Sequence, residues 1–146
     1  MSKKLETIGT TSSAQEAAKK MSDKNVSSLL VIDYSDNGKP YGIVTERDLV
    51  RRVCVNDASS KHTIVQSITS SPVVTIDAIS SVEVAADIMK MNNVRHLLVV
   101  EDEDITKPLG IITPTDFTDY LKDNLDMDDV NAKIIESLKQ EQELNK

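Results

Sequence analysis

The feature that most constrains this chain is an internal duplication of its sequence. When the 146-residue chain is shifted by 68 residues, residues 7–49 align with residues 75–117 without a gap, and 19 of the 43 aligned pairs are identical. The identical pairs include Gly42 with Gly110 and Pro40 with Pro108. Duplicated units usually fold alike and bury their apolar faces against one another. The sequence therefore predicts two copies of one small unit that pack together.

Each copy contains the same predicted order of strands and helices. A short apolar strand is followed by a helix that a pair of serines caps, and this helix carries alanines and a methionine at helical spacing. A continuous apolar run then predicts a buried strand, and a proline after a polar turn opens the return strand, which leads into a second helix. The pattern predicts an α+β fold made of two β-α-β-β-α repeats. The predicted strands are 5–8, 29–32 and 41–45 in the first copy, and 73–76, 97–100 and 109–113 in the second.

The predicted division of the chain follows these repeats. Repeat 1 spans 1–56, a linker with a short helix around 64–68 spans 57–69, repeat 2 spans 70–124, and an amphipathic C-terminal helix spans 125–146. We expect that last helix to pack on the module, or else to dock on another protein or a second copy. Its apolar stripe consists of Val130, Ile134 and Leu138.

Composition and charge exclude several functional classes. The net charge of −7 opposes binding to nucleic acid or to anionic membranes. No apolar run approaches the roughly 20 residues that a membrane helix needs, and no apolar segment follows the N-terminus as in a signal peptide. Cys54 is the only cysteine, so an intrachain disulfide is impossible and a reducing cytoplasm is the predicted location.

The sequence contains no recognisable catalytic or metal-binding motif. His62, His96 and Cys54 lack metal-ligand spacing, and the four glycines form no phosphate-binding loop. A nucleophilic pair of Cys54 and His62 would lack an orienting third group. We therefore predict no catalytic residue, no metal site and no obligatory cofactor.

A Thr-x-x-Asp segment lies at the predicted strand-to-helix turn of each copy, at Thr45–Asp48 and Thr113–Asp116. One interpretation is a capping box, in which the threonine hydroxyl accepts from the third helical amide and the aspartate accepts from the threonine amide. The other is a sugar site, because a carboxylate fixed at a helix start can accept two hydrogen bonds from the vicinal hydroxyls of a ribose. The two interpretations are compatible, and the spacing alone leaves both open.

The chain resembles the CBS (cystathionine-β-synthase-type) domain family through its repeated motifs. These are the Gly-Ile-Val-Thr-x-x-Asp segment Gly42–Asp48 with its partner Gly110–Asp116, an Ala-Ala-x-x-Met helix, and an Asn-Val-x-x-Leu-Leu-Val strand entry. The resemblance implies two repeats packed through their sheets with pseudo-twofold symmetry, and two clefts between them that hold AMP, ADP, ATP or S-adenosylmethionine. It also implies a homodimer that has no catalytic activity and regulates a partner protein.

The resemblance further implies roles for individual side chains. The Thr-x-x-Asp loops would bind ribose, basic and hydroxyl side chains near them would bind phosphate, and the first strand of each repeat would form an adenine slot with the buried strand beside it. The ribose candidates are Asp116, Thr113, Asp48 and Thr45; the phosphate candidates are the basic Arg95, His96 and Arg47 and the hydroxyl-bearing Thr115 and Ser27; the adenine candidates are Thr7, Ile8, Gly9, Thr75, Ile76, Leu29 and Leu97.

The phosphate candidates predict two unequal clefts. A nucleotide on Asp116 is expected to use the three basic candidates, whereas a nucleotide on Asp48 would meet only the two hydroxyl candidates. Arginine offers a planar fork to phosphate oxygens, so the Asp116 side is expected to be the tighter anion site. The alternatives are an exposed salt bridge to Glu101 or Asp102 for Arg95, a packed histidine for His96, and a solvated or dimer-facing position for Arg51 and Arg52.

Together these expectations predict a non-enzymatic regulatory module that binds an adenosine nucleotide between its repeats and transmits occupancy to a partner. Two other interpretations stay open, namely a structural or dimerisation adaptor with degenerate clefts, and a sensor of S-adenosylmethionine or cyclic dinucleotides. A ligand panel separates them, because a ligand at about 100 times its Kd stabilises a fold by about 2.7 kcal/mol, whereas an adaptor would not respond.

Overall fold

A computed structural model describes residues 5–118 of the chain. Its elements are β1 (Thr7–Gly9), α1 (Ala14–Lys24), β2 (Ser28–Asp33), β3 (Lys39–Thr45), α2 (Glu46–Asp48) continued by a π-helix (Leu49–Cys54), α3 (Val65–Ile68), β4 (Thr75–Asp77), α4 (Val82–Asn92), β5 (Leu97–Glu101) and β6 (Asp104–Ile112). They form two three-stranded sheets with strand orders β1-β2-β3 and β4-β5-β6. In each sheet the first pair of strands is parallel and the second pair is antiparallel. The predicted β-α-β-β order is confirmed in both repeats.

Both long helices begin and end at residues that suit their termini. The side chains of Ser13 and Ser81 accept hydrogen bonds from the backbone amide three residues later, at 3.1 and 3.2 Å. Asn25 and Asn93 end α1 and α4 in the left-handed region, with φ of 54° and 51°, which asparagine adopts more readily than most residues. The predicted serine caps are therefore confirmed.

The buried strand of each repeat has apolar side chains on both faces. Because side chains alternate along a strand, Leu29 and Val31 of β2 pack beneath α1, whereas Leu30 and Ile32 pack against the other repeat. β5 has the same arrangement, and the two sheets pack face to face, as predicted. The core that the repeats share consists of Leu30, Ile32, Ile43, Leu98, Val100 and Ile111.

The segment between the repeats is part of the folded body. The predicted short helix is present as α3, and its residues Val65 and Ile68 are buried in the core of repeat 1. The amides of Val65 and Gln66 donate to the carbonyls of Ser12 and Thr10, at 2.8 and 3.0 Å. The predicted linker thus contributes to the core of the first repeat, while the predicted repeat limits stay predictions.

The first strands are shorter than predicted. β1 and β4 begin at Thr7 and Thr75, two residues later than the apolar pattern indicates. The reason is that Leu5 and Val73 pack against the core shared by the two repeats. These lead-in residues therefore add to the interface between the repeats.

The return strand of repeat 2 is longer than predicted. β6 begins at Asp104, which pairs with Glu101. The turn between them needs only Asp102 and Glu103, whose φ angles of 53° and 58° match the two-residue turns that connect tightly paired strands. The acidic segment that the sequence indicated as a loop is therefore mostly strand.

The second helix of each repeat starts where the Thr-x-x-Asp segments predict. In repeat 1, α2 passes directly into the π-helix, and in repeat 2 residues 114–118 are helical. The predicted C-terminal helix 125–146, with its apolar stripe, lies outside the described residues. Within residues 5–118, no helix has the length and apolar character needed to cross a membrane.

Candidate functional site

The larger of two clefts between the repeats has a volume of about 590 Å³ and is called here the Asp48 cleft. One wall comes from repeat 1, where the loop after β3 leads into α2 and the π-helix. The opposite wall comes from repeat 2, from the segment before β4 and the turn between α4 and β5. The lining residues are Ser27, Ile43, Thr45, Glu46, Arg47, Asp48, Arg51, Arg52, Ser70, Pro72, Val73, Val74, Asn93, Val94, Arg95 and His96.

The Thr45–Asp48 loop is a complete capping box. The amide of Asp48 donates to Thr45 Oγ1 at 3.2 Å, and the amide of Thr45 donates to Asp48 Oδ2 at 2.9 Å. The Thr45 hydroxyl also donates to Oδ2, at 3.1 Å. The capping interpretation is therefore confirmed here, and the box uses only one oxygen of the carboxylate.

The other carboxylate oxygen of Asp48 is directed towards Arg52. Oδ1 lies 3.9 Å from Arg52 Nε, which is the far limit of an ion pair, and the Asp48 side chain is 15% exposed. The cap thus fixes the carboxylate in place while Oδ1 keeps hydrogen-bonding capacity for a bound hydroxyl group. Capping and sugar binding are compatible in this geometry.

All four arginines of the chain line the Asp48 cleft. Three of them, Arg47, Arg51 and Arg95, have no carboxylate within 4.0 Å among residues 5–118, including the Glu101 and Asp102 that the sequence offered as partners for Arg95. In a chain of net charge −7, one cleft therefore concentrates four guanidinium groups, of which Arg52 alone forms an ion pair among residues 5–118, although Glu46 also lines the cleft. Such a set is suited to anions, and above all to phosphate.

His96 lies at the edge of this arginine set. Burial lowers the pKa of His96 from its usual 6.5, and the field of Arg95 lowers it further, while the charges of Asp48 and Asp116 oppose the shift. The imidazole is therefore mostly neutral at pH 7. A bound phosphate would add negative charge and raise this pKa again.

A smaller cleft of about 310 Å³ lies at the equivalent place in repeat 2 and is called here the Asp116 cleft. Its loop resembles the first, since the amide of Thr113 donates to Asp116 Oδ2 at 2.8 Å and the Thr113 hydroxyl donates to the same oxygen at 3.2 Å. No arginine or lysine belongs to its described lining. That lining consists of Glu6, Asn25, Val26, Ser27, Ser28, Ile111, Thr113, Thr115 and Asp116.

The predicted pairing of cations with aspartates is wrong. Arg95, His96 and Arg47 line the cleft of Asp48, and Thr115 lines the cleft of Asp116, while Ser27 borders both. The cause is the face-to-face packing of the sheets, which brings the loop after each return strand against the helix-to-strand turn of the other repeat. The basic side chains on which the predicted preference for the Asp116 side rested thus line the Asp48 cleft.

Two of the cleft arginines were not assigned to a binding site from the sequence. Arg51 and Arg52 line the cleft, although their positions indicated a solvated or dimer-facing role. A signal for Arg51 was present, since it follows Arg47 by four residues on a predicted helix, and residues four apart lie on one helix face.

The residues predicted for the adenine slot do not line either cleft. Ile8, Leu29, Ile76 and Leu97 are buried in the cores beneath the helices, and neither cleft is lined by these four residues or by Thr7, Gly9 or Thr75. Alternation along the strands turns the side chains of Ile8, Leu29, Ile76 and Leu97 away from the other repeat. The apolar wall of the Asp48 cleft instead comes from Ile43, Pro72, Val73 and Val74.

Comparison with known proteins identifies the family. The family model described as CBS domain matches residues 1–54 and 65–123. A protein of Methanopyrus kandleri is 34% identical over 106 residues, which cover 73% of this chain and 52% of that protein. The mitochondrial CBS domain-containing protein CBSX3 of Arabidopsis thaliana is 32% identical over 98 residues, with coverages of 66% and 48%. The chain thus spans about half the length of these curated relatives.

Solved structures agree with this assignment. A CBS-domain-containing protein of Agrobacterium tumefaciens superposes with a TM-score of 0.68 at 28% identity, over 81% of this chain and 89% of that one. A hexameric CBS-CP12 protein from bloom-forming cyanobacteria superposes with a TM-score of 0.72 at 29% identity, over 80% and 62%. With both repeats matched in sequence and in fold, the chain belongs to the CBS-domain family and carries two CBS repeats in tandem.

Proposed function

We propose that this chain is a regulatory module that binds an adenosine nucleotide in the Asp48 cleft. The observation that carries the proposal is the convergence of all four arginines on the cleft whose loop fixes the Asp48 carboxylate. A ligand that suits this cleft needs hydroxyl donors for Asp48 and negative charge for the arginines. A ribose phosphate has both, and the apolar wall of Pro72, Val73 and Val74 provides a surface for a base.

The arginines also discriminate among the alternative ligands. S-adenosylmethionine carries a positive sulfonium centre, which the cluster of arginines in the Asp48 cleft disfavours. Cyclic dinucleotides are anionic, so charge alone does not separate them from linear nucleotides. They lack a free terminal phosphate, however, and such a phosphate presents more oxygens to the forks of Arg47 and Arg95.

The position of the cleft between the repeats supports a regulatory role for a bound ligand. Thr45 and Asp48 belong to repeat 1, whereas Arg95 and His96 belong to repeat 2, so a bound nucleotide would contact both. A ligand shifts the balance between two arrangements of the repeats only to the extent that it binds one of them more tightly. A partner protein would detect that shift, and the module itself performs no chemistry.

We also propose that the module associates with a second copy of itself. α4 carries a second apolar stripe, Val84, Ile88 and Met91, on which Met91 is 83% exposed. Val84 is also exposed, whereas Ile88 is partly buried against the core of repeat 2. Exposed apolar side chains that lie together on one helix are candidates for a contact surface. A related CBS structure is described as hexameric, which supports association. The equivalent positions of α1 are charged, namely Glu16, Lys20 and Asp23.

The nucleotide proposal is tested by comparing Asp48→Ala with Asp116→Ala, two substitutions that remove the same contact within each Thr-x-x-Asp loop. Hydrogen bonds to a charged group contribute about 1.5–3 kcal/mol, so Asp48→Ala should raise the Kd for ADP about 10- to 150-fold in isothermal titration. Asp116→Ala should leave the tighter binding event within about threefold. A larger loss in Asp116→Ala, or no heat from any adenosine nucleotide with the wild-type chain, would contradict the proposal.

A further inference from the structure

The loop between the first strand and the first helix is covered in repeat 1 and open in repeat 2. In repeat 1 the segment that contains α3 packs over this loop, where Thr10 is buried and Ser13 is half-buried. The equivalent residues of repeat 2, 68 positions later, are Ala78 and Ser81, and both are exposed. Residues 78–82 thus form an open surface, called here the entry surface of repeat 2.

The backbone shows the same difference between the repeats. The first two amides of α1 donate to the carbonyls of Thr63 and Ser60, at 2.8 and 3.0 Å. The first two amides of α4 belong to Val82 and Glu83, and neither has a hydrogen-bond acceptor among residues 5–118. In the same loop, the side chain of Ile79 is 95% exposed. Unsatisfied helix amides beside an exposed apolar side chain are the features that a docked segment would cover.

A sequence similar to that of α3 occurs again near the end of the chain. Residues 64–68 read Ile-Val-Gln-Ser-Ile, and residues 134–138 read Ile-Ile-Glu-Ser-Leu. The isoleucine and the serine are identical, and the other three positions exchange one aliphatic residue for another or glutamine for glutamate. In repeat 1, 14 positions separate Val50 from the first motif, and 16 separate its equivalent Thr118 from the second. The second motif therefore has enough chain to reach repeat 2 in the same way.

We infer that residues 134–138 dock on the entry surface of repeat 2 in the same chain, as residues 64–68 dock on repeat 1. The two repeats share one fold, so a segment of similar sequence finds a similar surface on the second copy. The carbonyls just before the motif then accept from the amides of Val82 and Glu83. The entry surface shares no residue with the described lining of either cleft, so this docking does not depend on the proposed nucleotide site.

Two adjacent isoleucines distinguish this docking from the packing of one continuous amphipathic helix. In the docked motif, Ile135 takes the place of Val65, which is fully buried, and Ile134 takes the place of Ile64, which is 46% exposed. A continuous helix with its apolar stripe at positions 130, 134 and 138 would instead direct Ile134 towards the module. The docked motif therefore requires Ile135 and tolerates a polar residue at position 134.

The test measures amide hydrogen exchange by NMR in the full chain. In the wild-type chain, the amides of Val82 and Glu83 should exchange about as slowly as the first two amides of α1. In Ile135→Asp they should exchange at least about tenfold faster, because the docked motif opens, and Leu138→Asp should reproduce this loss. The first two amides of α1 should not change in either variant, which verifies that the rest of the fold is intact.

Ile134→Asp is the matched control, since it introduces the same charge one residue earlier, and it should leave the exchange of Val82 and Glu83 within about threefold of wild type. Fast exchange of both amides already in the wild-type chain would overturn the docking. A larger effect of Ile134→Asp than of Ile135→Asp would replace the docked motif by the continuous helix. Protection that disappears on dilution, together with a fall in mass by light scattering, would show that a second copy supplies the segment and would overturn docking within one chain.

Discussion

Gly42 lies where β3 passes close to the segment before β4. A Cβ atom added at Gly42 would lie 2.2 Å from the backbone oxygen of Ser70 and 2.8 Å from the Thr69 side chain. Ordinary contact begins near 3.4 Å, so Gly42→Ala requires Ser70 to move by about 1.2 Å. Because the nearest atom belongs to the backbone, rotation of a side chain cannot relieve the contact.

The surrounding structure resists that movement. Ser70 forms a bridge to Ile43, and the buried residues Ile68 and Thr69 precede it. Forced overpacking of this kind costs about 1–3 kcal/mol, and an obstruction by backbone belongs in the upper half of that range. For a chain of this length, we expect Gly42→Ala to lower the thermal midpoint by about 6–12 °C. Since Ser70 and Pro72 line the Asp48 cleft, nucleotide affinity should fall as well.

Gly9→Ala is the matched control for this substitution. Its added Cβ would meet the ring of Tyr34 at 3.3 Å, and that ring is 71% exposed and can rotate away. Alanine reduces the conformational entropy of the unfolded chain relative to glycine. Gly9→Ala should therefore leave the thermal midpoint unchanged or raise it slightly. Circular dichroism melts and urea titrations of both variants provide the comparison. A midpoint for Gly42→Ala within about 2 °C of that for Gly9→Ala would refute the role of the close approach.

Two further predictions concern pH and association. Because burial lowers the pKa of His96 below 6.5, the unfolded chain binds more protons as the pH falls through that value, so the free energy of unfolding should decrease below about pH 6.5. His96→Gln should weaken this dependence in urea titrations, and an unaltered dependence would show that His96 is not its source. Val84→Glu combined with Met91→Asp copies Glu16 and Asp23 of α1 onto exposed positions of α4 and should reduce the proposed assembly to a smaller species in light scattering, whereas Glu83→Gln with Lys90→Gln should not. An assembly of unchanged mass in both double variants would exclude this stripe as the contact.

Much of the fold could be predicted because the determining residues are local and occur twice. The serine caps, the helix-ending asparagines and the apolar strands keep the same spacing in both copies. The errors arose where tertiary packing decides. Leu5 and Val73 are apolar, and the sequence pattern therefore assigned them to the first strands. In the structure they pack against the shared core instead of extending β1 and β4. Local patterns do not distinguish between these two ways of burying an apolar side chain.

The site was only partly predictable for a different reason. An offset of 68 residues identifies equivalent residues, such as Asp48 and Asp116, but contains no information about which loop faces which turn. That relation depends on how the sheets pack. The buried runs 29–32 and 97–100 are apolar at every position, so they also lack the alternation that would show which face meets the other repeat. The cation pairing and the adenine slot both depended on this missing information.

The two copies differ where the clefts are, and this difference bears on how Asp116 is interpreted. Thr45 and Asp48 form a complete helix cap, and the backbone amide of Thr113 is held by Asp116 in the same way. Folding alone therefore explains why both copies contain the threonine and the aspartate. The surrounding positions are not equivalent in charge, since Arg47 corresponds to Thr115 and Arg95 corresponds to Ser27. A shared aspartate thus predicts a helix start in both repeats, and it predicts a phosphate-bearing ligand only in the cleft where the arginines converge.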